Sequence, residues 1–417
     1  MFLKKFIPLL LLFYYVPVKA QESKPSSNSN YSFIGLGYSL GKIIPSLSIF
    51  PDSKQQQSFD LTYGISTYGD NNLWAKHLNY PKTGLMFSYS DFGNPKQLGV
   101  GLTLMPFFDC GVFDSFTKRI RFQAGLGGSY TTVIFDKVTN PGNYGITTHI
   151  TWAFRVFMYY SLIQTKDYAI KIGAGLTHFS NGHTRLPNHG LNSALATIKT
   201  ELYFPKTQAP ILVNKLAETN NGRDVQNYFS TRFGIGIKVL SRNYDAQKGV
   251  LTSSFSFGKI KHKTYKYGLG LYYHFYEDYY DYIKEDGQII NDKFPNFKKA
   301  PIQYSSALGI FSNFEILMNH ISLEAELGVN LYKPAYKMDW QLNDGLTYYP
   351  REFGVKDKFK NVISTRLGLR YYALNTKKSP LHNLFLATNI NANLGQADFS
   401  ELSFGYVYSP KAAKSKN

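Results

Sequence analysis

From residue 31 onward, apolar and polar positions alternate with a period of two, in stretches broken by Gly, Pro, Asn and Asp. A strand turns successive side chains to opposite faces, so this pattern describes ribbons with one face in an apolar medium. It predicts strands over 31–41, 56–66, 82–92, 97–108, 119–134, 145–163, 168–180 and 190–204. A polar stretch with Pro205 and Pro210, residues 205–226, reads as a connector. Beyond it the pattern resumes over 228–241, 248–259, 265–276, 301–316, 319–332, 361–374, 382–393 and 399–408. The chain thus divides into halves at 31–204 and 227–409.

After residue 20 no stretch approaches the roughly 20 apolar residues that a membrane helix requires. Yet 16% of residues are aromatic, with 33 Tyr and 32 Phe, and 34 are Gly. A secreted β-sandwich would also have many short strands. Ordinary hydrophobicity with abundant aromatics instead fits strands that meet lipid at every second residue and carry aromatic girdles at the interfaces. The expected fold is therefore all-β, an antiparallel transmembrane β-barrel of about 16 strands in one ring. The alternative is two tandem barrels of about 8 strands each. Either closure removes the sheet edges that hydrocarbon does not tolerate.

An even strand count returns both ends of the chain to the periplasmic side. It then places the long segments 277–300 and 333–360 outside. Segments 67–81 and 109–118 and the connector are longer than a periplasmic turn should be. Leu386 to Tyr408 weakly echoes Gly173 to Phe204, with Asn391 near the place of His178, as a degenerate repeat would.

The ends refine the compartment. Lys4 and Lys5 precede an apolar run from Phe6 to Val18, and Val18-Lys19-Ala20 supplies small residues for cleavage, so residues 1–20 read as a signal peptide. Residues 21–30 read as a flexible N-terminus. The one cysteine, Cys110, forms no internal disulfide. The formal net charge is +18. In an exported barrel this points away from nucleic acid and towards phosphorylated lipid of the outer leaflet. The basic tail 410–417 reads as solvated. Whether a second copy of the chain pairs with it as a homodimer is open.

Residues 173–193, GAGLTHFSNGHTRLPNHGLNS, carry the candidate chemistry. Ile172, Ala174, Leu176, His178 and Ser180 share one strand face, and Lys171, Gly173, Gly175, Thr177 and Phe179 the other. The first set is apolar until its last two members, so His178 and Ser180 are expected on the lipid side at the outward strand end. A serine hydroxyl becomes a nucleophile when an adjacent imidazole takes its proton. The following Asn181-Gly182 opens a loop whose N–H groups suit an oxyanion. Arg185 is a candidate for lipid phosphate. The histidines at 178, 183 and 189 do not suggest a metal site, since the last two sit in what reads as a mobile loop. The tyrosines from Tyr272 to Tyr282 read as an interfacial girdle.

His178-Phe179-Ser180-Asn181-Gly182 resembles the His-x-Ser-Asn signature of outer-membrane lipid A 3-O-deacylases, also described as acyloxyacyl hydrolases. Arg185 to Asn192, Val138-Thr139-Asn140-Pro141 and Ala397-Asp398-Phe399-Ser400-Glu401 resemble that family's long form. The resemblance implies an external serine that removes a hydroxyacyl chain from lipid A, without cofactor or metal. The compact members place an acid where this chain has Asn192, and the next carboxylate after Ser180 is Glu201. Asn192 is the expected third member, since an amide oxygen also holds an imidazole tautomer. The motif is similar to that of outer-membrane phospholipase A as well. Glycerophospholipid hydrolysis, or a porin or adhesin without catalysis, are the alternatives.

Overall fold

The computed structural model describes residues 31–46, 50–68, 73–112, 119–205, 225–343 and 352–410. The expected signal peptide, the flexible N-terminus, nearly all of the connector and the tail from 411 on lie outside the described residues. Sixteen strands follow in order: β1 Tyr31–Ile44, β2 Gln56–Ser66, β3 Lys82–Asp91, β4 Val100–Gly111, β5 Ile120–Thr131, β6 Ile150–Gln164, β7 Tyr168–Ser180 and β8 Leu191–Pro205. The second set is β9 Val225–Val239, β10 Gln247–Lys261, β11 Tyr265–Tyr276, β12 Ser306–Met318, β13 Ile321–Tyr332, β14 Ile363–Tyr372, β15 His382–Asn393 and β16 Gln396–Tyr408.

The strands form two closed antiparallel barrels, β1–β8 and β9–β16. The single ring expected from the strand count is thereby corrected to its alternative. The reason lies in pairing that alternation does not encode. β8 returns to β1 along its whole length, from Tyr31↔Pro205 to Ile44↔Asn192. In the second half Phe233 of β9 is paired with both Ser253 of β10 and Phe404 of β16.

Alternation sorts each strand by face. Leu36, Tyr63, Leu104, Leu176 and Ile198 of the first barrel stand exposed on the outside, as do Ile235, Leu271, Leu327, Leu386 and Phe404 of the second. A belt of large apolar side chains around a closed sheet suits hydrocarbon rather than water.

The interiors are charged, and the charges face one another. In the first barrel Glu201 meets Lys82 at 2.8 Å, Lys171 at 2.7 Å and Lys199 at 3.6 Å, and Asp60 meets Arg155 at 2.8 Å. In the second, Arg366 bridges Glu324 at 2.6 Å and Glu401 at 3.1 Å, while Glu315 holds Lys266 and Arg370 at 3.0 Å each. A ring of about eight strands is just wide enough for side chains to fill. Lumen charge, which by itself would favour a porin, here closes the lumen.

Asn391, at the place of His178 in the sequence echo, turns inward and donates to Glu401 at 2.7 Å. The echo is one of architecture, the last hairpin of each barrel, and not of chemistry. The tyrosine run is also corrected. Tyr272, Tyr276, Tyr279 and Tyr282 are buried, the last three packed with Ile290 and Met338 where helical segments 277–304 and 336–343 cover one end of the second barrel. Only its other members remain for an interface, such as the exposed Tyr273.

The barrels stand side by side with like ends together. At the end bearing the long loops, Trp152 Nε1 donates to Ser400 Oγ at 3.0 Å. At the opposite end Tyr265 donates to the His77 carbonyl at 3.0 Å, and His77 stacks on His262.

Candidate functional site

β7 runs to the loop-bearing end and stops at Ser180, and β8 starts back at Leu191. Their register sets His178 opposite Asn192. Leu176 is on the outer face and Lys171 and Phe179 are within, so His178 and Ser180, in step with Leu176, take the outer face. This agrees with the face assignment read from the sequence.

His178 Nδ1 lies 2.8 Å from Asn192 Oδ1. An amide oxygen only accepts, so Nδ1 carries the proton and Nε2 keeps its lone pair. Ser180 is 6% exposed. No His178–Ser180 hydrogen bond is formed in this structure; Nε2 is the ring nitrogen left for the hydroxyl. Catalytic contacts of this kind often tighten only when substrate arrives.

The loop 181–190 is built by its own polar groups. The Asn181 side chain donates to the Arg185 carbonyl at 2.9 Å and accepts from the His183 N–H at 3.0 Å. The Asn181 N–H is taken by Asn188 Oδ1 at 3.1 Å. Asn181 thus shapes the loop, and of the two oxyanion candidates Gly182 retains the unused N–H. Gly182 and Gly190 both have positive φ, +63° and +72°. These are left-handed conformations that glycine adopts without strain. The loop read as mobile is in fact tied down, with His189 and Gly190 donating to the Tyr144 and Gly145 carbonyls.

Gly190 also lets the chain close over the imidazole. A Cβ there would sit 2.7 Å from His178 Cε1. Gly190→Ala is accordingly expected to displace the ring and lower turnover by at least ~10-fold, in line with the sensitivity of catalysis to small misplacements. Hydrolysis assays on folded protein check this; unchanged turnover would mean that the ring is not held as described.

Of the predicted residues, the structure brings His178, Ser180, Asn192, Asn181 and Gly182 together. The exposed Arg185 contributes its carbonyl to the loop, and its guanidinium lies near Asp245. His178, His183 and His189 do not converge, and no group of metal-ligating side chains is found among the described residues. Glu201 faces the lumen and takes no part. Sequence reasoning missed Trp152 and Phe154, which pair across from Ser180 and His178 on β6, and Ser400 of the second barrel. Alternation in 145–163 already placed the two aromatics on one face. Nothing in the sequence marked Ser400 as a neighbour.

His183 is half-buried in this loop, with its Nε2 shut from solvent. Burial, followed by the nearby Lys238 charge, holds its pKa below the usual histidine value.

Residues 58–201, spanning β2 to β8 with His178, Ser180 and Asn192, match the family model described as lipid A 3-O-deacylase (PagL). Among solved structures, the outer-membrane enzyme PagL is similar at 15% identity, covering 40% of this chain and 97% of that one with a TM-score of 0.28. The β domain of the Bordetella autotransporter BrkA is similar at 11% identity, covering 91% and 99% with a TM-score of 0.20. No curated protein matches the chain. The family match agrees with the resemblance read from the motif and with a place in the outer membrane.

Proposed function

We propose that this protein is an outer-membrane ester hydrolase that removes a hydroxyacyl chain from lipid A. The observation that carries the reading is the His178 Nδ1–Asn192 Oδ1 contact on the lipid face, with Ser180 two residues along the same face. An outward imidazole is costly among lipid-facing side chains unless it sits at an interface and has work there.

In the proposed reaction Ser180 Oγ attacks the acyl carbonyl and passes its proton to His178 Nε2, while Asn192 holds the ring in the required tautomer. The Gly182 N–H faces the negative charge that develops on the carbonyl oxygen. The ester C–O bond breaks and the departing sugar oxygen takes the proton from His178. Water then enters, gives a proton to His178, and its oxygen attacks the acyl-Ser180 carbonyl. Ser180 recovers the proton as the free acid leaves. Substrate arrives sideways from the leaflet, so no deep cavity is needed. Arg185, exposed at this end, is proposed to meet a lipid phosphate.

Glycerophospholipid hydrolysis would use the same groups and is the second reading. A porin is disfavoured by the paired charges that fill both interiors. Mass spectrometry of lipid A from cells with and without the protein tests the proposal. Loss of one hydroxyacyl chain is expected. Chains lost only from glycerophospholipids would select the second reading, and unchanged lipids would end the hydrolase proposal.

A further inference from the structure

The second barrel's His320-Ile321-Ser322 is no second site, because Ser322 is buried in the closed interior and donates to Glu315 at 2.6 Å. The rim of that barrel, however, reaches the loop that follows Ser180. Ser400 Oγ accepts from Trp152 Nε1 at 3.0 Å and lies 3.4 Å from both the Asn181 and the Gly182 carbonyl oxygens, to which its hydroxyl donates. Gln247 donates to the Thr184 carbonyl at 2.9 Å. Arg242 lies 4.6 Å over the Tyr144 ring, and Lys137 donates to Asp245 at 3.1 Å. His183 reaches the rim itself, close to Val239, Lys238, Asp339 and Asp398. Its Nε2 is shut from solvent without a hydrogen-bond partner.

The contact at Ser400 has a geometric consequence. The Asn181 carbonyl and the Gly182 N–H belong to one planar peptide unit, so fixing the carbonyl fixes the direction of the N–H. Within the loop the same carbonyl also accepts from Thr184 Oγ1 at 3.1 Å, so Ser400 adds a second restraint to a peptide whose left-handed glycine resists rotation little by itself. The fit is close, because a Cβ on Gly182 would collide with Ser400 Oγ.

We infer that the second barrel is a positioning element for the reaction proposed above, with Ser400, held by Trp152, orienting the Asn181–Gly182 peptide as an oxyanion donor. Other contacts between the barrels lie elsewhere, but Ser400 and Gln247 bond the loop's own backbone carbonyls. The inference rests on the hydrolase reading, and its test separates the two.

Full-length wild type, Ser400→Ala, Trp152→Phe and the double variant are compared in detergent on lipid A and on a water-soluble short-chain nitrophenyl ester. Losing one oxyanion donor outright costs about 10²–10³ in kcat. Misorienting it is expected to cost about 10-fold in each single variant, with KM within about 2-fold. The double variant should fall no further, because both changes break one linkage. Hydrogen exchange of the peptide containing 181–190 should quicken in the same variants. Wild-type kcat in the single variants, a change confined to KM, or additive losses would overturn the inference. A wild-type protein that hydrolyses neither ester would sink the hydrolase reading instead, and unaltered loop exchange would then also overturn the role of Ser400.

Discussion

Ser180→Ala and His178→Ala are each expected to lower turnover of lipid A by at least ~10³-fold, about 4 kcal/mol of barrier, while the barrel stays folded. Alanine at 180 removes the atom that forms the acyl-enzyme, and alanine at 178 removes the only base on that strand face. Neither change touches an interior ion pair, so folding should be spared. The two losses should not add, because hydroxyl and ring act in one proton transfer. Asn192→Ala should cost less, about 10–10²-fold, since the ring keeps its basicity and loses only its orientation. Initial rates on purified, folded variants decide the matter. Appreciable turnover by Ser180→Ala would exclude this serine as nucleophile.

Glu201→Ala is expected to have the largest effect on stability and little effect on chemistry. Glu201 is fully buried and offsets three ammonium groups, from Lys82, Lys171 and Lys199. Breaking a buried pair by removing one partner typically costs 3–5 kcal/mol, because the remaining charge is stranded. Here three are stranded, with the rings of Tyr31, Phe33 and Tyr203 within 5.4 Å of Lys82 as partial relief. Urea unfolding followed by the gel mobility of the folded barrel should show a midpoint well below wild type. Turnover per folded molecule should be unchanged, since the carboxylate points into the lumen. A Glu201 variant that folds normally but loses turnover would instead make Glu201 the missing acid of the site.

Strand positions were legible because lipid outside and packed side chains inside impose a strict period of two. The expected segment 168–180 coincides with β7, and 56–66 with β2. Closure was not legible, because the inner faces of one large ring and of two small ones read alike along a single strand. Lys171 was correctly set on the inner face, but its partner Glu201 lies thirty residues on, and only the barrel brings them together. At the site, His178, Ser180 and Asn192 were legible since one hairpin contains all three. Trp152 needed the neighbouring pairing, and Ser400 needed the docking of a second barrel. The tyrosine run misled because Tyr279 and Tyr282 sit on a helical cap, where period two no longer sorts side chains between lipid and interior.

Ion pairs packed through both rings carry a consequence for the cell. A large open ring would admit salts, detergents and antibiotics in proportion to its copy number. Two stoppered cylinders span the envelope without offering a path for water. The protein can therefore be made abundantly without weakening the permeability barrier in which it is embedded, and planar-bilayer recordings should remain silent.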